Sequence, residues 1–520
     1  MGHVETVVLL GRRKGSTNNS SGSAEMYQYL STQQQRQHHI VLVSIFSWVR
    51  IFLFTALIPV AMSLSSLQPP KAVVLLDPIT DWRQVVEAAL HHGVAIVAIQ
   101  LSPIPDKMKA FTPTREILME AGVTLVHFPQ DRDVYQCAQF LQSHHEISGG
   151  SNALCIQGVI PLSETAVEFS DLLSALLGIS HFNPLPLVTS RRDKGLMKDA
   201  VQNAGLRIAK YARLNAVSDV PIQIEILSLD FPVVIKTPQG FSTTDVFICQ
   251  TLEEATTATA TILNRDREGP DGRSTRQALV EEYIGGVEFA VNIMACQGIV
   301  HVTDVWKYSK APDTARYVSA EICDPHHDSL SAVVEYAKQV AMAVGIRYGA
   351  GHVELKARPR TARLGEDEDF DCMTWTDPCL MEVGARLSGG RKAAMAKEAV
   401  DHWNPFLALI LSHCGESCPL PRTRTPSQFV KHLFLPIPQT GTIQSVALPV
   451  ASSGNEKSTD GLVSIPTLHS HVLLVRPGQQ VKETTDIVSC AGFAWLVGPS
   501  KSAVERDAEK LLSCFHIAIE

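Results

Sequence analysis

Five short stretches of the chain carry residue types that could do phosphate and metal chemistry. The first is SRRDKGLMKDAVQNAGL, in which Lys194 opens an amphipathic helix pattern. Taken alone, a lysine there reads as a solvated surface residue. The second is FPVVIKTPQGFSTTDVFIC, a buried strand ending in Lys236, then a loop, then another strand. A lysine closing an apolar strand must reach solvent or find an anion. The loop residues Gly240, Ser242, Thr243 and Thr244 offer backbone N–H groups and hydroxyls that suit phosphate oxygens.

The third stretch, ALVEEYIGGVEFAVNIM, places Glu281 and Glu282 at the end of an apolar strand, then Ile284, a Gly285-Gly286 bend and Glu288. One reading is a β-hairpin with acids facing solvent. The other is a nucleotide hinge, with the backbone of Glu282 to Ile284 against an adenine edge and Glu288 accepting from ribose hydroxyls. The last two stretches, GAGHVELK and CLMEVGARLSGG, each place a carboxylate, Glu354 and Glu382, in a strand. Apolar neighbours alternate with both glutamates, which puts them off the buried face. Two carboxylates on adjacent strands beside a polyphosphate are the oxygen ligands that Mg²⁺ takes. Arg386, four residues past Glu382, has a planar fork fit for phosphate or carboxylate, and equally for a surface ion pair with Glu382. His352, two residues before Glu354 on the same strand face, reads as a site residue or as a core histidine.

In their order and rough spacing, these five segments resemble the ATP-grasp superfamily over about residues 71–520. The RDK start, the PVVIK loop, the hinge E-E-Y-I-x-G-x-E and the E-V-G-A-R-L-x-G-G ending look most like the carboxylate–amine ligases, a group that includes L-amino-acid ligases and carnosine synthase. The resemblance implies that Lys194 and Lys236 hold ATP phosphates while the loop from Gly240 to Thr244 closes over them. It implies that Glu281, Glu282, Ile284 and Glu288 seat the nucleoside, and that Glu354 and Glu382 bind Mg²⁺ or Mn²⁺. Arg386 would face a reacting acyl phosphate. The implied partners are ATP and small carboxylate and amine substrates, amino acids among them, and a homodimer. Many relatives have asparagine where Gly384 stands, so magnesium is left to two carboxylates. The acidic run GEDEDFD between Glu354 and Glu382 reads as an extruded loop.

These segments need elements to position them. From Lys71, KAVVLLD reads as a buried strand and DWRQVVEAALHHG as a helix with Val85, Val86, Ala89 and Leu90 on one side. VAIVAIQL then completes a βαβ unit. GVTLVHF and ALCIQGVI continue the series, and SETAVEFSDLLSALLG carries Phe169, Leu172, Leu173, Leu176 and Leu177 on one stripe. The turn after the first strand, DPITDW, has no glycine, so this Rossmann-like half lacks the close phosphate approach of a dinucleotide site. The tail reads as strands (QFVKHLFLPIPQTGTIQ, SHVLLVRPGQQV, FAWLVGPS) and a closing helix (SAVERDAEKLLSCF).

The expected fold class is therefore α/β and α+β multidomain: an ATP-grasp fold with a Rossmann-like lead domain and a small β-rich C-terminal domain. The expected divisions are 1–70, 71–188, 189–425 and 426–520. Residues 1–39 are polar and low in complexity. Residues 40–62 are long and apolar enough to span a bilayer, but Arg50 near the middle costs at least about 2.5 kcal/mol there. Three readings of this segment stay open: a membrane anchor, a cleaved targeting peptide, or residues upstream of a true start at Met62. A cytoplasmic or organellar setting follows from the ATP chemistry.

Composition excludes some classes. With 520 residues, 45% of them hydrophobic, and a net charge of −8, the chain has no basic stretch long enough to track nucleic acid. Eleven scattered cysteines do not make a secreted disulfide framework, and Cys414 and Cys418 lack the second ligand pair of a zinc site. Three other functions remain beside the ligase. A carboxylase of the same superfamily is disfavoured by the lack of a biotin carrier segment. A direct kinase would release no free phosphate. A silent ATP-binding module would be expected to have lost Glu354, Glu382 and Arg386.

Overall fold

The computed structural model describes residues 69–101, 112–144, 153–240, 245–264, 276–311, 316–361, 373–420, 425–448, 450–451 and 463–520. The 40–62 segment, the loop residues Ser242, Thr243 and Thr244, and the GEDEDFD run lie outside them. Among the described residues, no helix is long and apolar enough to cross a membrane.

The lead domain follows the βαβ reading. Strand β1 (Lys71–Leu76), α1 (Trp82–His91), β2 (Ala95–Ile99), α2 (Arg115–Glu120), β3 (Leu125–His127), α3 (Val134–His144), β4 (Cys155–Pro161) and α4 (Val167–Leu176) succeed one another. The four strands form a parallel sheet ordered β3-β2-β1-β4. Val85, Val86 and Ala89 of α1 are buried as expected, but Leu90 is exposed, lying against the turn at Gly122 rather than under the sheet. Helix α4 departs further from a simple stripe. Phe169 and Leu173 are buried, Leu172, Leu176 and Leu177 are half-buried, and the polar Ser170, Asp171 and Ser174 are buried as well. The reason is that both faces are covered: Asp171 forms an ion pair at 2.9 Å with Arg191, which belongs to the following segment.

Next comes α5 (Lys194–Asn203), whose buried face carries Lys194, Met197, Lys198 and Val201. Asp193 caps it, accepting from the N–H groups of Gly195 and Leu196 at 2.9 and 3.0 Å. A small antiparallel sheet follows, built from β5 (Tyr211–Leu214), β6 (Val233–Lys236), β7 (Val246–Cys249) and β8 (Ala278–Glu282) in the order β5-β8-β6-β7. Helices α6 (Asp219–Leu227) and α7 (Leu252–Leu263) close one face over a core of Leu214, Val220, Val233, Ile235, Ala255 and Val280.

The largest sheet has eight strands. Strands β9 (Val287–Cys296), β10 (Ile299–Lys310), β11 (Tyr317–Cys323), β12 (Gly349–Thr361) and β13 (Met373–Gly384) are five of its eight strands, covered by α8 (Ser331–Ala343), α9 (Lys392–Ala399) and α10 (Pro405–His413). Strand β14 (Phe429–Leu435) then pairs with β11, so the sheet runs on past residue 425 into the tail. The tail adds β15 (Gly441–Ala447), β16 (Val450–Ala451), β17 (Val463–Ser464), β18 (Leu468–Leu473), β19 (Gln480–Val481), β20 (Gly492–Gly498), α11 (Lys501–Cys514) and β21 (His516–Ile519). The resulting order is β13-β12-β9-β10-β11-β14-β20-β18, with a separate β19-β15-β21 sheet and a β16–β17 pair. Cys418 bonds to Cys296, 122 residues away, and not to its neighbour Cys414, which is free and buried.

Candidate active site

Register brings the carboxylates together. In the β12–β13 ladder Glu354 stands directly opposite Glu382, and on the other edge of β12, Lys356 stands opposite Glu288 of β9. Three acids from three strands thus share one face of the sheet. Burial, then the Glu382 and Glu288 charges, push the Glu354 carboxyl up from its ordinary 4.5 to about 7. Lys194 reaches this cluster from the first turn of α5. Its Nζ lies 3.0 Å from Glu382 Oε1 and donates to the Gly240 carbonyl at 2.6 Å. Lys194 is therefore buried at 4% exposure, not solvated.

One helical turn on, Lys198 is fully buried, and the sequence reading missed it. Its Nζ lies 3.3 Å from Glu281 Oε2, which also takes Lys236 Nζ at 2.9 Å. Burial, with Lys236 adding to it against the pull of Glu281, lowers Lys198 to about 8. Glu281 accordingly neutralises two lysines through one oxygen, while Oε1 has no hydrogen-bond partner among the described residues. The signal in the sequence was the i, i+4 spacing of Lys194 and Lys198, which sets both on one helix face.

The hinge is as the bend required. Gly286 has φ +108°, and a Cβ there would collide with the Ala357 carbonyl. Ile284 is buried with Ala209 and Cys379, against partly buried Met381. Glu282 is spent locally: its N–H donates to the Lys210 carbonyl at 2.8 Å and its carboxylate accepts from Lys210 N–H at 3.1 Å. Glu288 accepts from Lys310 Nζ at 2.8 Å and from Tyr317 Oη at 2.7 Å, and Lys356 Nζ donates to the Ile284 carbonyl at 2.8 Å. These last three residues were not anticipated, because each is an isolated polar position in a strand.

Arg386 is met from an unexpected direction. Its Nε donates at 2.6 Å to Glu164, just beyond β4 of the lead domain, and its Nη1 donates to the Leu387 carbonyl at 2.7 Å. Burial alone would raise the Glu164 carboxyl, but Arg386 and Arg192 overcome it and hold it at about 2. That favourable ionisation is present above the ordinary glutamate value of 4.5 and is lost as pH falls toward 2. His352 is both buried and beside the site. Burial, then Arg386, lower it to about 3, so it is neutral, with Nε2 3.9 Å from Glu354 Oε1.

His352 also explains Gly384. A Cβ at 384 would lie 2.5 Å from His352 Cε1, 3.0 Å from its Nδ1 and 3.3 Å from Glu164 Oε2. The imidazole fills the room a side chain would need. Gly384→Ala is therefore expected to cost about 1–3 kcal/mol by overpacking. His352→Ala introduced beside it should recover most of that loss in a denaturant melt, and equal losses in single and double variants would refute the packing account.

No ligand set of three or more His, Cys, Asp or Glu residues occurs among the described residues. The cation capacity of this face is the Glu354–Glu382 pair. Two carboxylates suit Mg²⁺, which keeps several waters and completes its shell with phosphate oxygens.

Comparison with known proteins supplies the deciding observation: the ATP-grasp domain family matches residues 229–364, which hold Lys236, the hinge and Glu354. The chain carries an ATP-grasp domain. The chain is also similar to dapdiamide A synthase of Enterobacter agglomerans, 27% identical over 438 residues, covering 82% of this chain and 92% of that protein. Among solved structures, the L-amino acid ligase of Bacillus licheniformis superposes with a TM-score of 0.64 at 19% identity, over 87% of this chain and all of that one. The biotin carboxylase domain of the Hydrogenobacter thermophilus 2-oxoglutarate carboxylase, in complex with MgADP, ADP and bicarbonate, gives 0.55 at 15%, over 87% of this chain and 91% of that one. These likenesses show an ATP-grasp fold extending from the lead domain through the tail.

Proposed function

We propose that this chain is an ATP-dependent carboxylate–amine ligase, forming an amide bond through an acyl phosphate, with amino acids or small peptides as substrates. The observation that carries the proposal is the meeting of Glu354, Glu382, Lys194 and Arg386 at one end of the β12–β13 ladder. Likeness to a dapdiamide synthase over most of both chains supports an amide product.

In this reading ATP lies between the small sheet and the large one. The hinge at Glu282–Ile284 and Glu288 seat the nucleoside, and Lys194 and Lys236 meet the phosphates. To do so each lysine exchanges a carboxylate it now holds, Glu382 and Glu281 respectively, for a phosphate oxygen. Glu354 and Glu382 would hold Mg²⁺ or Mn²⁺, which when bound would supply charge neutralisation at the phosphates. The substrate carboxylate oxygen attacks the γ-phosphorus and ADP departs, leaving an acyl phosphate whose developing charge Arg386 faces. The amine then attacks the acyl carbon; phosphate leaves, and the amine gives up a proton to solvent. Enclosure between the lead domain and the two sheets keeps water from the mixed anhydride.

Hydroxylamine tests the intermediate. With Mg-ATP, the acid substrate and no amine, hydroxylamine should trap a hydroxamate in step with ADP release. ADP formed with phosphate left on a substrate hydroxyl, and no hydroxamate, would make the enzyme a kinase.

Metal dependence should follow Glu354. The raised carboxyl holds its proton more tightly in the folded chain, so its contribution to stability is full below about 4.5 and is lost as pH rises through about 7. Cation binding requires the ionised form. The Mg²⁺ concentration for half-maximal rate is therefore expected to climb as pH falls from 8 to 6, toward about tenfold per unit below the pKa. A pH-independent Mg²⁺ requirement would contradict this assignment.

A further inference from the structure

Where the lead domain meets the ATP-grasp body, two arginines share one glutamate, and one of them lacks hydrogen bonds. Arg192, in the turn before α5, is 3% exposed. None of its Nε, Nη1 and Nη2 atoms has a hydrogen-bond partner among the described residues. Its charge contact is with Glu164, at 3.8 Å from Nη1, and the other oxygen of that carboxylate is already held by Arg386 Nε at 2.6 Å. A guanidinium carries five N–H donors, and burying them unmatched is costly. The adjacent Arg191 shows the contrast. It is equally buried, yet its Nη1 and Nη2 are engaged by the Val344 carbonyl at 2.9 Å, by Asp171 at 2.9 Å and by the Pro184 carbonyl at 3.0 Å.

The place is one where a ligand belongs. Glu164 stands just past the C-terminal end of β4, beside β1, from which the sheet continues to β2 on one side and β4 on the other. Parallel sheets take ligands in the crevice beyond their strand ends at such a switch. On the opposite wall, Arg386 is four residues from Glu382, and Arg192 is two residues from Lys194, whose Nζ touches Glu382. Two guanidinium charges against one carboxylate leave one positive charge over. One further carboxylate balances it. A polyphosphate would crowd Glu164, and Lys194 and Lys236 already serve the phosphates in the reading above.

We infer that Arg192 is the anchor for the carboxylate of the acid substrate, presenting its planar fork beside Glu164, whose other oxygen Arg386 holds. This rests on the ligase reading and names a residue that selects its substrate.

The test uses the full chain and an Arg192→Met variant, with Arg192→Lys as a charged control lacking the fork. In phosphate-release kinetics with Mg-ATP, Arg192→Met should raise KM for the acid roughly 10- to 100-fold, the loss of a charge-assisted pair. KM for ATP should stay within about twofold, since phosphate binding falls to the lysines. Arg192→Lys should recover only part of the affinity. Melting adds a second readout. The unliganded Arg192→Met chain should lose little stability, because the guanidinium makes no hydrogen bonds among the described residues and Arg386 still holds Glu164. Adding the acid to chain already saturated with a non-hydrolysable ATP analogue should raise the melting temperature further in wild type alone. An unchanged KM for the acid would overturn the inference. So would a lowered melting temperature with both KM values raised together, the result for a purely structural tether. If no acid supports ATP turnover in wild type, the ligase reading falls; the melting shift with acetate, L-alanine or L-aspartate then decides Arg192 separately, since equal shifts in wild type and variant overturn the anchor.

Discussion

Glu382→Gln is expected to reduce ATP-dependent phosphate release on the order of 10³-fold, because in the proposed mechanism it removes a cation ligand facing the transferring phosphoryl group. Glutamine matches glutamate in shape, so the Glu354–Glu382 register of the ladder should survive, and the hinge should keep its hold on the nucleoside. Two effects should separate in the data. The half-saturating Mg²⁺ concentration should rise, and kcat should stay low even at saturating Mg²⁺, because a neutral amide would hold the cation less closely against the transferring phosphoryl group. Nucleotide affinity measured without Mg²⁺ should change little. A variant with near-wild-type kcat at high Mg²⁺ would mean that Glu354 alone suffices as a metal anchor.

The second large effect concerns stability. Glu281→Ala removes the anion that serves both Lys198 and Lys236, leaving two cations buried without compensation. Breaking a buried pair in this way typically costs about 3–5 kcal/mol. Lys198→Met added to Glu281→Ala should return part of that loss, since one of the stranded charges is gone, and a double-mutant cycle in urea would read the coupling directly. Added ATP should also stabilise Glu281→Ala more than wild type, because phosphate oxygens would replace the missing carboxylate at Lys236. Additive losses with no ATP effect would mean that the lysines find other partners.

Much of this site was legible because strands obey a simple period. Alternation placed Glu354 and Glu382 on one face, and the ladder sets them directly opposite one another. The Gly285-Gly286 bend was legible because few sequences permit so close an approach to a neighbouring backbone. What escaped notice were polar side chains that look ordinary in one dimension. Lys198 reads as a solvated helix lysine until β8 brings Glu281 beneath it. Glu164 reads as a helix-start acid until the lead domain docks it against Arg386, 222 residues away. The expected boundary near residue 425 followed the start of a β-rich tail, and the β11–β14 pairing joins that tail to the large sheet. Local pattern predicts which way a side chain faces; it cannot say what another segment will set in front of it.

The most direct test of the central claim is a balance of products from the full chain supplied with Mg-ATP and a panel of amino acids, singly and in pairs. The account predicts that ADP, free phosphate and one condensed amide appear in equal amounts, only when an acid and an amine are present together. Phosphate retained on a substrate, or ATP consumption driven by bicarbonate in place of an amino acid, would contradict it.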